Sequence, residues 1–188
     1  PGFADGSWPA GPAQLGYGDG DEATVIGFGP NANAKYLTTY FRTTFTASAV
    51  PETLTLNLLA DDGAAVYVNG VLVVRDNLPG GTLTAATRAS SGRSGIAEAT
   101  VRAFALPPSV VHVGTNTIAV EVHQDAPSSS DLSFAAALTS TGAVPTGATT
   151  TLPPTTTTTT APPTTTTTPA SPPASASASA WPSTGARR

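Results

Sequence analysis

Cysteine is absent from the 188-residue chain, so disulfides, thiolate zinc sites and a cysteine nucleophile are excluded. Charge is scarce as well. Asp, Glu, Lys and Arg make up 11% of the residues, against about a quarter in an average soluble domain, and the formal net charge is −4. Nucleic-acid binding requires clustered Lys and Arg to neutralise phosphates, and an anionic membrane surface requires a polybasic patch; the sequence has neither. No apolar run is long enough to cross a bilayer. The only histidines are His112 and His123, too few for a metallophosphatase centre. No G-x-S-x-G elbow occurs, and SSGRSG around Ser91 is a flexible-loop pattern. Glu52, Glu98 and Glu121 lie on or near expected strands, with nothing in the sequence to pair them across a cleft. The chain is therefore read as non-enzymatic. No leader peptide is visible, and the chain, which opens on Pro1, reads as a processed piece.

Gly and Pro are abundant, at 18 each, and the composition shifts sharply near Gly142. From there to Arg188 the chain is Thr, Pro, Ala and Ser with almost no apolar residues, so it cannot bury enough surface to offset its ordering entropy. Residues 142–188 are expected to be a disordered linker or tail. Ser/Thr-rich, Pro-rich tracts of this kind suit glycosylated stalks outside the cell and point to a secreted or cell-surface protein. The closing WPSTGARR resembles an LPxTG sorting signal with Trp181 in the Leu position. The hydrophobic segment that should follow is missing, which favours a linker toward another domain.

Residues 1–141 read as all-β. Phe41, Thr43, Phe45 and Ala47 alternate onto one face, as do Leu54, Leu56, Leu58 and Ala60. AVYVN meets VLVVR across Asn69-Gly70, a dipeptide suited to a type I′ turn. Ile96 to Leu106 alternates, with Ala97, Ala99, Val101, Ala103 and Ala105 on one side. Ile118, Val120 and Val122 share a face, and so do Leu132, Phe134, Ala136 and Leu138. PSVVHVG allows one helical turn at most. Short one-faced strands separated by turn signals predict two sheets packed face to face.

The order of several motifs resembles galactose-binding-like jelly-roll domains, including the sugar-binding domain of family-two glycoside hydrolases and accessory modules of secreted bacterial enzymes. The motifs are Phe3-Ala4-Asp5-Gly6-Ser7-Trp8, Gln14-Leu15-Gly16-Tyr17-Gly18, Tyr40-Phe41-Arg42 with Thr44-Phe45, Val66-Tyr67-Val68-Asn69-Gly70, and Gly114, Asn116, Ala119, Val120 and Val122. Glu121-Val122-His123-Gln124 and Ser130-Asp131-Leu132-Ser133-Phe134 complete the pattern. The resemblance implies a jelly-roll β-sandwich acting as a non-catalytic module attached to a catalytic or surface domain, with a polysaccharide or glycan as the expected partner. Such domains usually have a strand ahead of the opening motif, so the first strand is expected to be missing. A purely structural spacer, or a fragment of a larger secreted phosphoesterase or glycosidase, is the alternative.

Two carboxylate groups stand out. Asp61-Asp62-Gly63 reads as a tight turn, with Asp bonding backbone amides and Gly63 supplying an unusual φ, or as a loop pair that accepts sugar hydroxyls or helps to hold calcium. Asp19, Asp21 and Glu22 in a Gly-rich loop offer hard oxygens suited to calcium, although the EF-hand spacing fails; a solvated acidic turn is the alternative. His123, Gln124 and Asp131 form a polar group where a strand ends. By parity His123 points away from the Val120 and Val122 face, where it either clamps the loop through Asp131 or lines a sugar-binding outer face. Trp8 is expected to pack. No aromatic platform is evident among Tyr17, Tyr36, Tyr40 and Tyr67, with aromatics at 6% overall.

Overall fold

Alternation along the chain gives strands with one buried face each, and in the computed structural model, which describes residues 4–142 and 145–146, these strands form two sheets packed into a β-sandwich. The strands are β1 (Leu15–Tyr17), β2 (Thr24–Val25), β3 (Thr38–Ala47), β4 (Thr53–Ala60), β5 (Gly63–Val68), β6 (Val71–Asp76), β7 (Arg102–Leu106), β8 (Gly114–His123), β9 (Leu132–Thr141) and β10 (Pro145–Thr146). One sheet has the order β2-β1-β9-β4-β7 and the other β10-β3-β8-β5-β6. All neighbours are antiparallel except β1 and β2. Strand pairing continues to Thr146, a few residues past the expected domain limit of 141; the rest of the Thr/Pro-rich tail lies outside the described residues.

The core lies between the sheets and is built from the expected faces: Leu54, Leu56, Leu58 and Ala60 on β4, Ile118, Val120 and Val122 on β8, and Leu132 and Phe134 on β9. Burying such side chains contributes roughly 1.5–3 kcal/mol each. Asn69 and Gly70 both take positive φ (52° and 84°) and close the β5–β6 hairpin. The Pro108–Val110 stretch forms a single 3-10 turn.

Two expectations are corrected. The Ile96–Leu106 alternation yields only β7, where Ala103 and Ala105 face solvent while Leu106 is buried and Phe104 packs against the core. Alanine fits either face, so the larger residues choose. Asp61-Asp62 joins strands of different sheets, β4 and β5, so it crosses the end of the sandwich. Gly63 does not have a left-handed φ; it is needed because a Cβ there would lie 2.7 Å from the Asn77 carbonyl.

Candidate functional site

At the crossing between β4 and β5 both carboxylates are sealed. Asp61 and Asp62 are each 1% exposed, so neither is open to a sugar on the surface as the sequence suggested. Asp62 accepts the Arg93 backbone amide on Oδ1 (2.6 Å) and that of Asp125 on Oδ2 (2.8 Å). Arg93 also donates to the Ala60 carbonyl and pairs with Asp76 at 3.0 Å, which locks the crossing under residues from a distant loop. Burial, and then the neighbouring Asp62 charge, pushes the Asp61 carboxyl up to about 8. Its Oδ1 is buried without a hydrogen-bond partner.

His123 and Gln124 are also fully buried. His123 points off the outer face, as its parity requires, but the segment around Thr87 covers it. Its Nδ1 donates to the Thr87 carbonyl (2.8 Å) and lies 3.0 Å from Thr38 Oγ1. It therefore neither clamps Asp131 nor meets a glycan. Gln124 is the residue that reaches Asp131, donating from Nε2 to its backbone carbonyl (2.7 Å), while Gln124 Oε1 is left buried without a partner. Asp131 itself is half-buried.

The loop after β1 carries Asp19, Asp21 and Glu22, whose carboxylates lie within 4.8 Å of one another. Glu22 is largely committed to the loop itself, accepting the Asp19 and Gly20 amides at 2.9 and 3.0 Å, and Asp21 accepts Gln14 Nε2. A second group shares Asp19: Asp19, Glu98 and Asp131 also offer oxygens within 4.8 Å of one another. Burial, outweighing the Ser133 hydroxyl that Asp19 accepts, raises the Asp19 carboxyl, and nearby Asp131 adds to the rise.

The open face of the β10-β3-β8-β5-β6 sheet presents a different arrangement. Tyr40 and Glu121 sit opposite each other across β3 and β8, and Tyr67 on β5 donates its hydroxyl to Glu121 Oε1 at 2.6 Å. Both tyrosines are half-buried. Burial alone would raise Glu121, but the facing His123 ring (Nε2 to Oε2, 3.5 Å) and the Tyr67 hydroxyl outweigh it and hold the carboxyl below its ordinary value. Burial followed by the Glu121 charge raises both phenols, Tyr67 to about 12. Beside this face, half-buried Trp8 and the Asp5–Arg42 ion pair rim a cavity of about 330 Å³ that runs between the sheets, walled by Phe41, Phe45 and Phe134. Its walls are mostly apolar, and its charged groups are paired with each other.

No protein-family model matches the chain, and no curated protein matches it. One solved structure is similar: Streptomyces avermitilis α-L-rhamnosidase complexed with L-rhamnose, at 21% identity and a TM-score of 0.40. The likeness covers 65% of this chain and 11% of the rhamnosidase chain.

The tyrosine–glutamate face sets two half-buried phenol rings around a Glu121 carboxylate that is itself buried and engaged by Tyr67 and His123. Sequence reasoning had the parity needed to find it: Tyr40, Tyr67 and Glu121 each alternate with core residues and so point outward. It lacked the sheet order that sets β3 and β5 on either side of β8.

Proposed function

We propose that the chain is a non-catalytic, galactose-binding-like accessory module of a secreted or cell-surface protein, positioned beside a linked domain, and that it binds glycan on the outer face of β3, β8 and β5. The observation that carries this reading is Tyr40 and Tyr67 flanking Glu121 on a rigid sheet surface. Half-buried rings are pre-positioned, so stacking costs little side-chain entropy. A glycosidase role is disfavoured because hydrolysis requires a protonated carboxyl within reach of the glycosidic oxygen. The carboxyl most raised toward protonation, Asp61, is sealed inside.

Retention on insoluble polysaccharides and binding to a glycan array test the reading. The expected outcome is retention on at least one glycan, weakened about tenfold or more by Tyr40→Ala and by Tyr67→Ala, as for loss of one stacking ring. Absence of binding to every glycan would leave the domain as a spacer.

A further inference from the structure

Residues 77–101 make a long excursion between β6 and β7 with only one 3-10 turn, Gly95–Ala97, inside it. A loop of that length with so little structure of its own needs outside fastenings. Its 85–89 stretch is held against the sheet by hydrogen bonds. Thr38 Oγ1 donates to the Ala85 carbonyl at 3.0 Å, His123 Nδ1 donates to the Thr87 carbonyl at 2.8 Å, and the Ala89 amide donates to the Gln124 carbonyl at 3.0 Å. Thr38 and His123 stand opposite each other on β3 and β8. The middle bond is made by a titratable group.

A carbonyl can only accept, so Nδ1 of His123 carries a hydrogen. Thr38 uses its own hydroxyl hydrogen on Ala85, so its oxygen, 3.0 Å from Nδ1, also calls for a donor there. In a neutral ring Nε2 would then be a bare lone pair. Nε2 is buried without a hydrogen-bond partner and faces Glu121 Oε2 at 3.5 Å. A lone pair set against a carboxylate oxygen, in a place closed to solvent, is repelled with nothing to relieve it. The other Glu121 oxygen takes the Tyr67 hydroxyl at 2.6 Å, which favours an ionised carboxylate over a protonated one. Hydrogen on both ring nitrogens satisfies every one of these contacts.

We propose that His123 is a buried imidazolium, paired with Glu121 through Nε2 and bonded to the Thr87 carbonyl through Nδ1, and that its proton latches the 85–89 stretch onto the end of β8. A hydrogen bond from a charged donor is roughly twice as strong as a neutral one. A buried ion pair repays its desolvation only where its remaining polar atoms are bonded, and Thr87 on one side and Tyr67 on the other meet that condition. The other titratable groups around the pair leave the proton to it. Arg75 on β6 adds positive charge near Glu121 but donates to the Pro79 and Gly81 carbonyls. Tyr40 on β3 and Tyr67 on β5 are both raised, so both phenols stay neutral below about pH 10. Asp62, beside the Gly63 that pairs with His123, accepts the Arg93 and Asp125 amides, and Arg88, beside Thr87, acts on Asp125. A proton held by the folded state adds stability at low pH that is lost as pH rises and the proton leaves. Alkaline pH therefore opens the latch. It lies behind the tyrosine–glutamate face and does not rest on the glycan reading.

The 188-residue protein, without any glycan, is to be followed by nitrogen-15 NMR of the imidazole rings and by amide hydrogen exchange at Ala89, from about pH 6 to about pH 9. At neutral pH both His123 ring nitrogens are expected to carry hydrogen, the His123 signals being those that vanish in His123→Asn. Protection at Ala89, corrected for the intrinsic exchange rate, should fall about tenfold or more as the proton leaves. In Glu121→Gln the ring should keep hydrogen on Nδ1 alone, and Ala89 protection should no longer depend on pH. His123→Asn offers Thr87 a donor but holds no proton toward Glu121, so its Ala89 protection should be independent of pH as well. A bare Nε2 at neutral pH in the unaltered chain would overturn the proposal, even where a variant folds poorly. So would a pH dependence at Ala89 that survives both variants. Neither readout uses a sugar, so a domain that retains no glycan and still shows the doubly protonated ring would keep the latch and lose the function proposed above.

Discussion

Glu121 is a surface-sheet carboxylate that has become nearly enclosed, at 8% exposure, and is still held in its charged form by what surrounds it. A group whose folded pKa is depressed adds stability above its unfolded value and loses it as pH falls through the folded one. The Glu121 contribution should therefore be intact at neutral pH and fade below about 4.5, its ordinary value. Thermal melts from pH 7 to pH 3 should show Glu121→Gln less stable than the unaltered chain at pH 7 and the two converging at the acid end. A constant gap across that range would mean that packing, and not charge, is what the substitution removes. Asp61 and Asp62 teach a related lesson. Their place at a strand junction was legible in the sequence, and so was the bonding of one of them, Asp62, to backbone amides. Their burial was not, because the groups that close over Asp62, Arg93 and Asp125, lie 31 and 63 residues further along the chain.

Asn69 was read as a turn residue, and its φ of 52° agrees, but its side chain does more than fit the turn. It donates to the Val110 carbonyl and to Asn116 Oδ1, and its own oxygen accepts the Thr117 amide. Asn116 is fully buried and passes these bonds on to the His112 and Gly114 carbonyls. The β5–β6 hairpin is thus bolted to β8 by an amide pair. Asn69→Gly keeps the permitted backbone and removes the bolt, so chemical denaturation should show a loss of about 2–4 kcal/mol, with much of it from the Val110 carbonyl and the Thr117 amide that lose the Asn69 side chain. A loss of only a few tenths would reduce Asn69 to its turn geometry. Alternation disclosed which face of each strand turns inward for β4, β8 and β9. It could not disclose partners, since a period of two says nothing about which neighbour supplies the hydrogen bonds. That is why the β4–β5 junction looked like a tight turn, and why Tyr40, Glu121 and Tyr67, on three different strands, did not look like one surface.

The described residues form two sheets whose strands mostly pair with partners far off in sequence: β1 with β9, β3 with β8, β4 with β9. Among the described residues only β5 and β6 form a tight hairpin with a two-residue turn. The fold class was legible from composition and turn spacing, while this wiring, which sets where the candidate site falls, depends on long-range pairing. β9 lies in the middle of its sheet, with β1 on one side and β4 on the other, yet among the described residues it is the last long strand to be made. Until residue 141 is available, β1 and β4 have no common neighbour, and the half-finished chain exposes unpaired edges. Closing such distant contacts costs loop entropy before any contact repays it, so the domain should refold slowly for its size, over milliseconds to seconds. A chain ending at Asp131 should give no cooperative melt by circular dichroism, and a cooperative one would show that the sheet can nucleate without its centre. During synthesis the order of events runs against the N-terminal half: it must wait, and be kept from aggregating, until the strand that completes it arrives.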